Sequence, residues 1–484
     1  MLFSSIPFLY YFLAGVLLLY FMVPDKLKNM VLLLSSLFFY AWGEVRYVVL
    51  MILAIVMGYV FGLLIAKSRS QKQRKVFLVL AVAGSLGMLG YFKYSDFFIA
   101  NFNAVTGLNV PLLKVALPIG ISFYTFQIMS YVVDVYRGTA KAQHNPFSLA
   151  TYVSMFPQLI AGPIVRYTDV AEQLEHRVHS VDKAALGIRR FVIGLSKKIL
   201  IANALGELCE IFKASGDKSM AFYWLYAIAF TLHIYYDFSG YSDMAIGLGK
   251  IFGFDFMENF NYPYISGSIT EFWRRWHMSL GTWFRDYVYI PLGGNRVSRP
   301  RWLFNILVVW LLTGFWHGAS WNFNVWGLYF AVLLMLEKLW LLPRLERQAS
   351  TEDSKAETRT VFCLVVGLCR HIYVLLLVVI SFVIFNAADM TEAFQYIGSM
   401  FGAGELPVVS VETVYYFGSY LVTLMIAVVG ATPLAKNLMG RLEQTKIGSA
   451  VIGVLEPVVL IALLLLCTAF LVDGSFNPFL YFRF

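Results

Sequence analysis

The chain has 484 residues, of which 59% are hydrophobic and only 14% are charged, and its mean hydropathy is +0.68. This composition excludes an ordinary soluble domain and predicts a protein that crosses a membrane several times. The formal net charge of +9 could indicate nucleic-acid binding, but in a membrane protein basic loop residues first report topology. We therefore interpret the charge as a feature of the loops and expect no nucleic-acid partner.

Apolar stretches of roughly 17–25 residues predict membrane-spanning helices, since a helix satisfies its own backbone hydrogen bonds where water is absent. Several stretches are short or interrupted by Gly and Pro, so the expected fold class is an all-α polytopic bundle of roughly 11–13 transmembrane and re-entrant helices. The opening "MLFSSIPFLYYF" lacks the basic segment of a removable signal peptide and predicts a retained first span. The candidate spans are Phe8–Val23, Met30–Trp42, Val48–Ala66, Val76–Tyr94, Val115–Val133, Ile188–Ala204, Phe222–Phe238, Leu303–Phe315, Val325–Leu342, Val361–Phe385, Val414–Val429 and Val451–Leu471.

The densest basic loop, "KSRSQKQRK" at Lys67–Lys75, is expected to face the cytoplasm, because cytoplasmic loops carry an excess of Lys and Arg. Counting spans outward from it also places the segments Asp25–Lys28 and Arg137–Asn145 inside. The same count places both termini outside the cytoplasm.

A polar stretch of mixed charge, residues 345–360, predicts a cytoplasmic linker. It separates a core of residues 1–344 from C-terminal helices, residues 361–484, that complete one membrane domain. The four cysteines show no metal-ligand spacing, so no metal site is expected.

Polar side chains within apolar runs form a further group of candidates, because such groups are rare in membranes and often mark a pathway. Their alternative role is hydrogen bonding between helices. Asp237 follows His233 by four residues, so the two could pair on one helix face, and neighbouring tyrosines could satisfy the carboxylates. We predict that these residues line a tunnel: Gln127, Gln158, His233, Asp237 and Asp243.

The stretch "ITEFWRRWHMSLGTWFRDYVYIPLGGNR" at Ile269–Arg296 combines charged residues with three tryptophans. One interpretation is an interfacial amphipathic helix with arginines at lipid phosphates and tryptophans at the headgroup level. The other is a cytoplasmic vestibule whose guanidinium groups attract a phosphate-bearing substrate. If the segment is one helix, four residues share a face: Trp273, Trp276, His277 and Leu280.

A second histidine, His317, follows 40 residues later at the end of an apolar run, "WLLTGFWHGASW". In a soluble protein a lone histidine on an apolar face is more often a packing residue than a catalyst. In a membrane span an ionisable residue more often marks a functional site. Both histidines follow a tryptophan, which makes a coincidence harder to accept.

A neutral imidazole can accept the proton of a hydroxyl group that attacks an activated acyl carbon near neutral pH. The chain shows no Ser-His-Asp spacing and no elbow motif that would indicate a covalent nucleophile. Direct transfer from an acyl donor to a hydroxyl acceptor is therefore the simpler scheme.

The segments "FWRRWHMSLGTWFRDYVYIPLGGNR" and "LTGFWHGASWNFNVWGLYF" resemble the signature of the membrane-bound O-acyltransferase (MBOAT) family, in particular its bacterial alginate O-acetyltransferase branch. The segments "LPIGISFYTFQIMSYVVDVYRG", "FPQLIAGPIVRY" and "YDFSGYSDMAIGLGKIFGFDFMENFNYPY" are similar to that branch in order and spacing. The resemblance extends through about Lys338 and implies a helical bundle around a central tunnel in the inner membrane of a bacterium.

The resemblance also implies roles for individual residues. His317 corresponds to the invariant histidine of the family, taken as the base, and His277 occupies a second position as base, orienter or substrate binder. Trp316 and Gly318 would shape the pocket. The residues expected to bind the donor are Arg274, Arg275, Trp276, Arg285, Asn295 and Trp316.

The implied donor is acetyl-CoA, used as a substrate, with no bound cofactor. The implied partner is an extracytoplasmic SGNH-type acetyltransferase, of the AlgJ or AlgX type, that modifies a polysaccharide. The branch that exports D-alanyl groups shares "WHMSL" and "WFRDYV", whereas "YIPLGGNR" at Tyr289–Arg296 is typical of the alginate branch and favours acetyl.

Two other classes of protein stay open at this point. A proton-coupled transporter also has broken helices and intramembrane charges, but it would transfer no acyl group covalently. A structural subunit of an export complex would keep its function without His317.

Overall fold

The computed structural model describes residues 1–160, 162–341, 356–474, 476–478 and 480. The described residues are helical or irregular and contain no β-strand. Residues 345–355 of the predicted linker lie outside the described residues, and residues 356–360 begin a helix. The all-α class predicted from composition is confirmed.

The chain divides into two compact units, which we describe separately. The first unit contains residues 1–199 and 238–258 together with the described part of 462–483. Its helices before residue 200 are α1 (Leu13–Met22), α2 (Asp25–Glu44), α3 (Val48–Lys67), α4 (Gln71–Leu89), α5 (Ser95–Thr106), α6 (Ile121–Arg137), α7 (Pro146–Ser154), α8 (Phe156–Leu159), α9 (Tyr167–Glu175) and α10 (Val181–Ser196).

The second unit contains residues 200–237 and 259–461. Two long helices, α12 (Met220–Ile251) and α21 (Lys446–Val472), contribute residues to both units. The other helices of the second unit are α11 (Asn203–Ala214), α13 (Ile269–Arg275), α14 (Met278–Phe284), α15 (Arg299–His317), α16 (Trp321–Leu336), α17 (Ala356–Asn386), α18 (Met390–Met400), α19 (Val411–Gly430) and α20 (Leu434–Glu443).

Several helix ends follow from local sequence signals. Ser180 begins α10 by accepting a hydrogen bond from the backbone N–H of Lys183 at 3.1 Å, and Asp389 begins α18 in the same way through Glu392. Gly138 ends α6 with a φ of +80°, a conformation that costs glycine little. π-helical turns extend other helices at Pro7–Phe12, Gly90–Tyr94, Lys197–Ala202, Arg285–Tyr289 and Glu337–Leu341.

Six helical stretches among the described residues are long and apolar enough to cross a membrane. The stretch Asp25–Lys67 has 43 residues and contains two of the predicted spans. This length suffices for two crossings, because a helix needs about 20 residues to span a bilayer core of about 30 Å. Other predicted spans lie on shorter or less apolar helices such as α6 and α15. The six stretches are Asp25–Lys67, Gln71–Thr106, Trp321–Leu341, Val365–Asn386, Val411–Gly430 and Lys446–Val472.

Each unit has its own aromatic core. In the first unit, buried phenylalanine rings pack at centroid distances of 4.7–6.3 Å: Phe3, Phe8, Phe12, Phe39 and Phe156. In the second unit, tryptophan and phenylalanine rings of α13, α15 and α16 meet: Trp273, Trp310, Trp326 and Phe330. The core of the second unit therefore lies beside the part of the chain from α13 to the end of α15, which contains both predicted catalytic histidines.

Two glycines set the approach of α15 to α16. A Cβ atom on Gly314 would lie 2.3 Å from the carbonyl oxygen of Phe323, and one on Gly327 would lie 2.4 Å from that of Trp310. Small residues at such positions let two helix backbones pack closely. This close packing fixes the end of α15, where His317 lies.

Candidate active site

His277 lies in a break between two short helices. Helix α13 ends at Arg275, and α14 begins at Met278. Between them His277 has a φ of +44°, in the left-handed region that side chains other than Gly rarely occupy. The predicted single helix face through Trp273, Trp276, His277 and Leu280 is therefore wrong, because a left-handed residue interrupts the helical repeat.

Such a backbone conformation costs about 1–3 kcal/mol and persists only where its surroundings enforce it. One restraint is Asn259, whose backbone oxygen accepts from Met278 N–H at 3.0 Å. A second is the buried carboxylate of Glu337, which accepts from the backbone N–H groups of Ile269 and Thr270, each at 2.7 Å. The start of α13 and the break before α14 are thus both tied to other parts of the second unit.

The imidazole of His277 is buried, with 2% of its surface exposed. Its Nδ1 lies 3.0 Å from Oδ1 of Asn259. Burial lowers the pKa of His277 to about 3, because a charged imidazolium loses its hydration in this position. The ring is therefore neutral at physiological pH.

His317 is the last residue of α15, and aromatic rings surround it. Its centroid lies 4.9 Å from that of Trp316 and 5.2 Å from those of Trp326 and Phe385. The Trp316 ring also lies 6.0 Å from His277. The two imidazole centroids are therefore at most about 11 Å apart, the sum of their distances to Trp316.

The residue after His317 must be small. A Cβ atom on Gly318 would lie 2.2 Å from Cε2 of Phe323, and that ring packs against Phe385 at 5.0 Å. Since Phe385 also contacts His317, a side chain at position 318 would disturb the wall beside the histidine. The role of Gly318 in shaping a pocket stays a prediction.

A cavity of about 560 Å³ opens beside His277. Three cationic side chains line it, namely Arg274, Arg285 and Lys338, and much of the remaining lining is apolar. A second cavity of about 520 Å³ shares Arg285, Tyr289 and Lys338 with the first and also contains Asn295. The two cavities thus share a cationic wall.

The predicted donor-binding residues separate into two groups. Arg274, Arg285 and Asn295 line the cavities. Arg275 is not among the lining residues; its guanidinium lies 2.9 Å from Glu271 and donates to the backbone oxygen of Asn261. Trp276 and Trp316 are buried, pack on other rings and are also outside both linings.

Sequence reasoning missed Lys338 and Trp302. Both line the second cavity, and the ammonium group of Lys338 lies 5.8 Å from the Trp302 ring. In the sequence Lys338 ends an apolar helix beside Glu337, a pattern typical of an ordinary membrane boundary. No local signal distinguishes it from such a residue.

The predicted tunnel residues occupy both units. In the second unit, His233 is buried with Nδ1 2.6 Å from the backbone oxygen of Ala202, and Asp237 is buried nearby on α12. In the first unit, Gln127 and Gln158 are buried. Their tunnel-lining role stays a prediction.

Asp243 also lies in the first unit. Neighbouring tyrosines are expected to satisfy its carboxylate, but the structure shows cations there instead. Its carboxylate lies 2.9 Å from Arg190 and 2.7 Å from Lys197. That expectation is wrong for Asp243, because cations on α10 and the turn that follows it reach the carboxylate.

Comparison with known proteins gives one family. The family described as MBOAT, membrane-bound O-acyltransferase family, matches residues 136–379. The protein named "Probable alginate O-acetylase AlgI" from Azotobacter vinelandii is 38% identical over 517 aligned positions, covering 100% of both chains. A peptidoglycan O-acetyltransferase of Helicobacter pylori is 36% identical over 70% of each chain.

A teichoic acid D-alanyltransferase of Bacillus subtilis is 31% identical over 45% of this chain and 58% of its own length. The likeness to the alginate O-acetylase thus covers more of this chain than the likeness to the D-alanyltransferase. The family match over half of the chain and the full-length relative identify the protein as a multi-pass membrane O-acyltransferase that belongs to the membrane-bound O-acyltransferase family.

Proposed function

We propose that this protein transfers an acetyl group from cytoplasmic acetyl-CoA to a hydroxyl acceptor on the other side of the membrane, for O-acetylation of an exopolysaccharide. The observation that carries the proposal is a single cavity lined by a buried neutral histidine and three cationic side chains. A base and an anion-binding wall are the two features that such a transfer needs.

The cationic wall suits a coenzyme A thioester. Arg274, Arg285 and Lys338 line one cavity, and coenzyme A carries several phosphate groups. The guanidinium of Arg285 also pairs with Asp286 at 2.7 Å. Planar guanidinium groups bind phosphate oxygens in pairs, and an ammonium group adds a compact charge. A carrier-protein thioester presents only one phosphate on its arm, so three cations favour coenzyme A.

The chemical step is a direct transfer. The acceptor hydroxyl oxygen attacks the thioester carbonyl carbon, and the carbon–sulfur bond breaks with its electron pair going to sulfur. The hydroxyl proton passes to an imidazole and then to the thiolate that leaves. We assign both histidines to this step, His317 from its correspondence with the family and His277 from its place at the cavity wall.

The aromatic cluster would exclude water from this step. Trp316, Trp326 and Phe385 contact the half-buried His317 ring and would limit the access of water to it, which favours transfer to a bound hydroxyl over hydrolysis of the thioester. Exclusion of water also strengthens the electrostatic interactions of the cations with phosphate.

The direction of transfer follows from the loop charges. Cytoplasmic loops carry an excess of Lys and Arg, so the basic loop at Lys67–Lys75 supports a cytoplasmic position for that side of the protein, where acetyl-CoA is available. We propose an inner-membrane location with both termini outside the cytoplasm. The acetyl group would then reach an extracytoplasmic SGNH-type acetyltransferase, which passes it to the polysaccharide.

The nature of the acyl group is inferred from relatives. The relatives named as O-acetylases match 70–100% of this chain, whereas the named D-alanyltransferase of Bacillus subtilis matches 45%. Acetyl is therefore the group that we propose, and D-alanyl from a carrier protein is the alternative that the experiment must distinguish.

The test uses purified protein in proteoliposomes with radiolabelled acetyl-CoA enclosed and an alginate oligosaccharide with a purified SGNH-type transferase outside. We expect coenzyme A to be released inside and acetyl esters to appear outside. Enclosed D-alanyl carrier protein replaces acetyl-CoA in a parallel reaction. Transfer from the carrier alone would overturn the acetyl donor, and transfer from neither donor would overturn the enzymatic proposal.

A further inference from the structure

Three polar atoms lie around the side-chain oxygen of Asn259. His277 Nδ1 lies 3.0 Å from it, the Ser279 hydroxyl 2.9 Å and the Ser279 backbone nitrogen 3.3 Å. Asn259 is itself buried, with 1% of its surface exposed. This arrangement lies directly behind the imidazole that lines the cavity.

The backbone nitrogen decides which atom of the amide faces the ring. A backbone N–H group can only donate a hydrogen bond, so the amide atom that faces Ser279 N must be the oxygen and not the NH₂ group. An oxygen cannot donate to Nδ1. The hydrogen between His277 and Asn259 is therefore carried by the imidazole, as Nδ1–H.

In a neutral imidazole that carries its hydrogen on Nδ1, the other nitrogen has a free electron pair. Nε2 of His277 is then a hydrogen-bond and proton acceptor. The alternative tautomer, with hydrogen on Nε2, would place two electron pairs, those of Nδ1 and the amide oxygen, against each other at 3.0 Å.

We propose that Asn259 is a positioning residue that holds His277 in the neutral tautomer whose Nε2 accepts the hydrogen of the acceptor hydroxyl. This inference rests on the proposed acyl transfer and adds to it the residue that selects the reactive nitrogen. It gives His277 an accepting role, rather than one of donating to the thioester oxygen.

Burial favours the same neutral state of His277, and charged groups lie in the cavity that it lines. The cavity that it lines carries Arg274 from α13, Arg285 at the end of α14 and Lys338 beyond α16, and His317 lies on the other side of Trp316. Burial disfavours a positive charge on this imidazole. For His277 to act as a neutral hydrogen acceptor, only the Nδ1–H tautomer is then required. The hydrogen bond to Asn259 selects that tautomer.

A direct test measures the tautomer itself, independently of activity. Protein labelled with ¹⁵N-histidine in nanodiscs is examined by solid-state NMR, and the His277 signals are identified by their loss in His277→Gln. We expect a protonated Nδ1 and an unprotonated Nε2 from pH 6 to pH 8. An Nε2–H tautomer in the wild type would overturn the proposal, even if acetyl transfer is intact.

Two variants connect the tautomer to the reaction. Asn259→Ala removes the acceptor, and we expect acetyl-transfer kcat to fall about 10–100-fold at every pH, as for other residues that orient a histidine. Asn259→Asp keeps an acceptor for Nδ1–H and for Ser279. Its carboxylate raises the pKa of His277, so activity stays close to wild type at alkaline pH and falls as pH decreases through the raised pKa.

A merely structural role for Asn259 predicts a different pattern, in which both variants lose activity in parallel with no change in the pH profile. Asn29→Ala is the matched control, since Asn29 also accepts and donates side-chain hydrogen bonds but lies in the first unit. We expect its pH profile to be unchanged. If wild type shows the expected tautomer but transfers no acyl group, the proposed function fails while the tautomer assignment stands.

Discussion

The second unit contains two Trp-His pairs, Trp276-His277 and Trp316-His317, and their surroundings differ. The first pair occupies a break between two short helices, where His277 has a left-handed backbone and a hydrogen bond to Asn259. The second pair ends a helix of 19 residues, and aromatic rings enclose His317. The same two residue types are thus held by polar contacts in one place and by ring packing in the other.

The comparison shows how one site can divide its tasks. Hydrogen bonds fix the proton position of a histidine, whereas aromatic packing fixes the place of its ring and excludes water. Trp316 touches both imidazoles, so the two environments meet at one indole. Replacing residues of the two pairs tests whether both histidines serve the same chemical step.

The largest effect is expected from replacing the two histidines singly and together. Loss of a catalytic base costs about 10²–10⁴-fold in rate. If His277 and His317 serve the same step, the kcat of the double variant, His277→Ala with His317→Ala, is no lower than that of the less active single variant. Initial rates of acetyl-CoA turnover measure this. If the fold-losses of the two single variants multiply in the double variant, the histidines have independent roles and the two Trp-His pairs do not act as one unit.

Trp316→Ala removes the ring between the pairs. A catalytic group displaced by about 1 Å can cost about 10²-fold in rate, so we expect a kcat loss of that order. Truncating a buried Trp also costs about 3–5 kcal/mol of stability. Trp316→Phe keeps an aromatic ring and is the matched control; we expect most activity to remain. Equal losses in both variants would assign a specific role to the indole nitrogen instead.

The neighbouring arginines Arg274 and Arg275 provide the next test. Arg274 lines the cavity, whereas Arg275 pairs with Glu271. We expect Arg274→Ala to raise the KM for acetyl-CoA about 10-fold with little change in kcat, as when uniform binding is lost. Arg275→Ala should leave the KM within about twofold of wild type, because Arg275 lies outside the linings of both cavities. A larger KM change for Arg275→Ala would contradict the cavity assignment.

The smallest effect concerns the turn after His317. Gly318→Ala places a Cβ atom against the Phe323 ring, and overpacking of this kind costs about 1–3 kcal/mol. We expect a lower Tm and a modest loss of activity. Gly87→Ala is the control, because open space surrounds Gly87 in α4. A Tm unchanged by Gly318→Ala would show that Phe323 can move without cost.

Much of the site could be predicted because its parts carry local signals. The apolar runs indicated long helices, and the two histidines after tryptophan were candidate functional residues. In the structure the ring of Trp316 lies near both of them. The break at His277 could not be predicted from residues 269–284. Their spacing is compatible with one amphipathic helix, and the restraints come from Asn259 and Glu337, distant in sequence.

Lys338 was missed for a similar reason. Its place at the cavity depends on the packing of α15 against α16 through Gly314 and Gly327, which brings the end of α16 toward the segment that contains Arg285. A single sequence shows the glycines but not the partner surfaces that need them. Tertiary packing, rather than any local motif, assembled the cationic wall.

The most direct test of the central claim compares wild type with His317→Ala at equal amounts of folded protein in nanodiscs. The measured quantity is the initial rate of coenzyme A release from acetyl-CoA in the presence of the acceptor. We predict turnover by wild type and a loss of about 10²–10⁴-fold in the variant, at an unchanged Tm. Equal rates in the two proteins would contradict the assignment of this histidine cluster as the centre of acyl transfer.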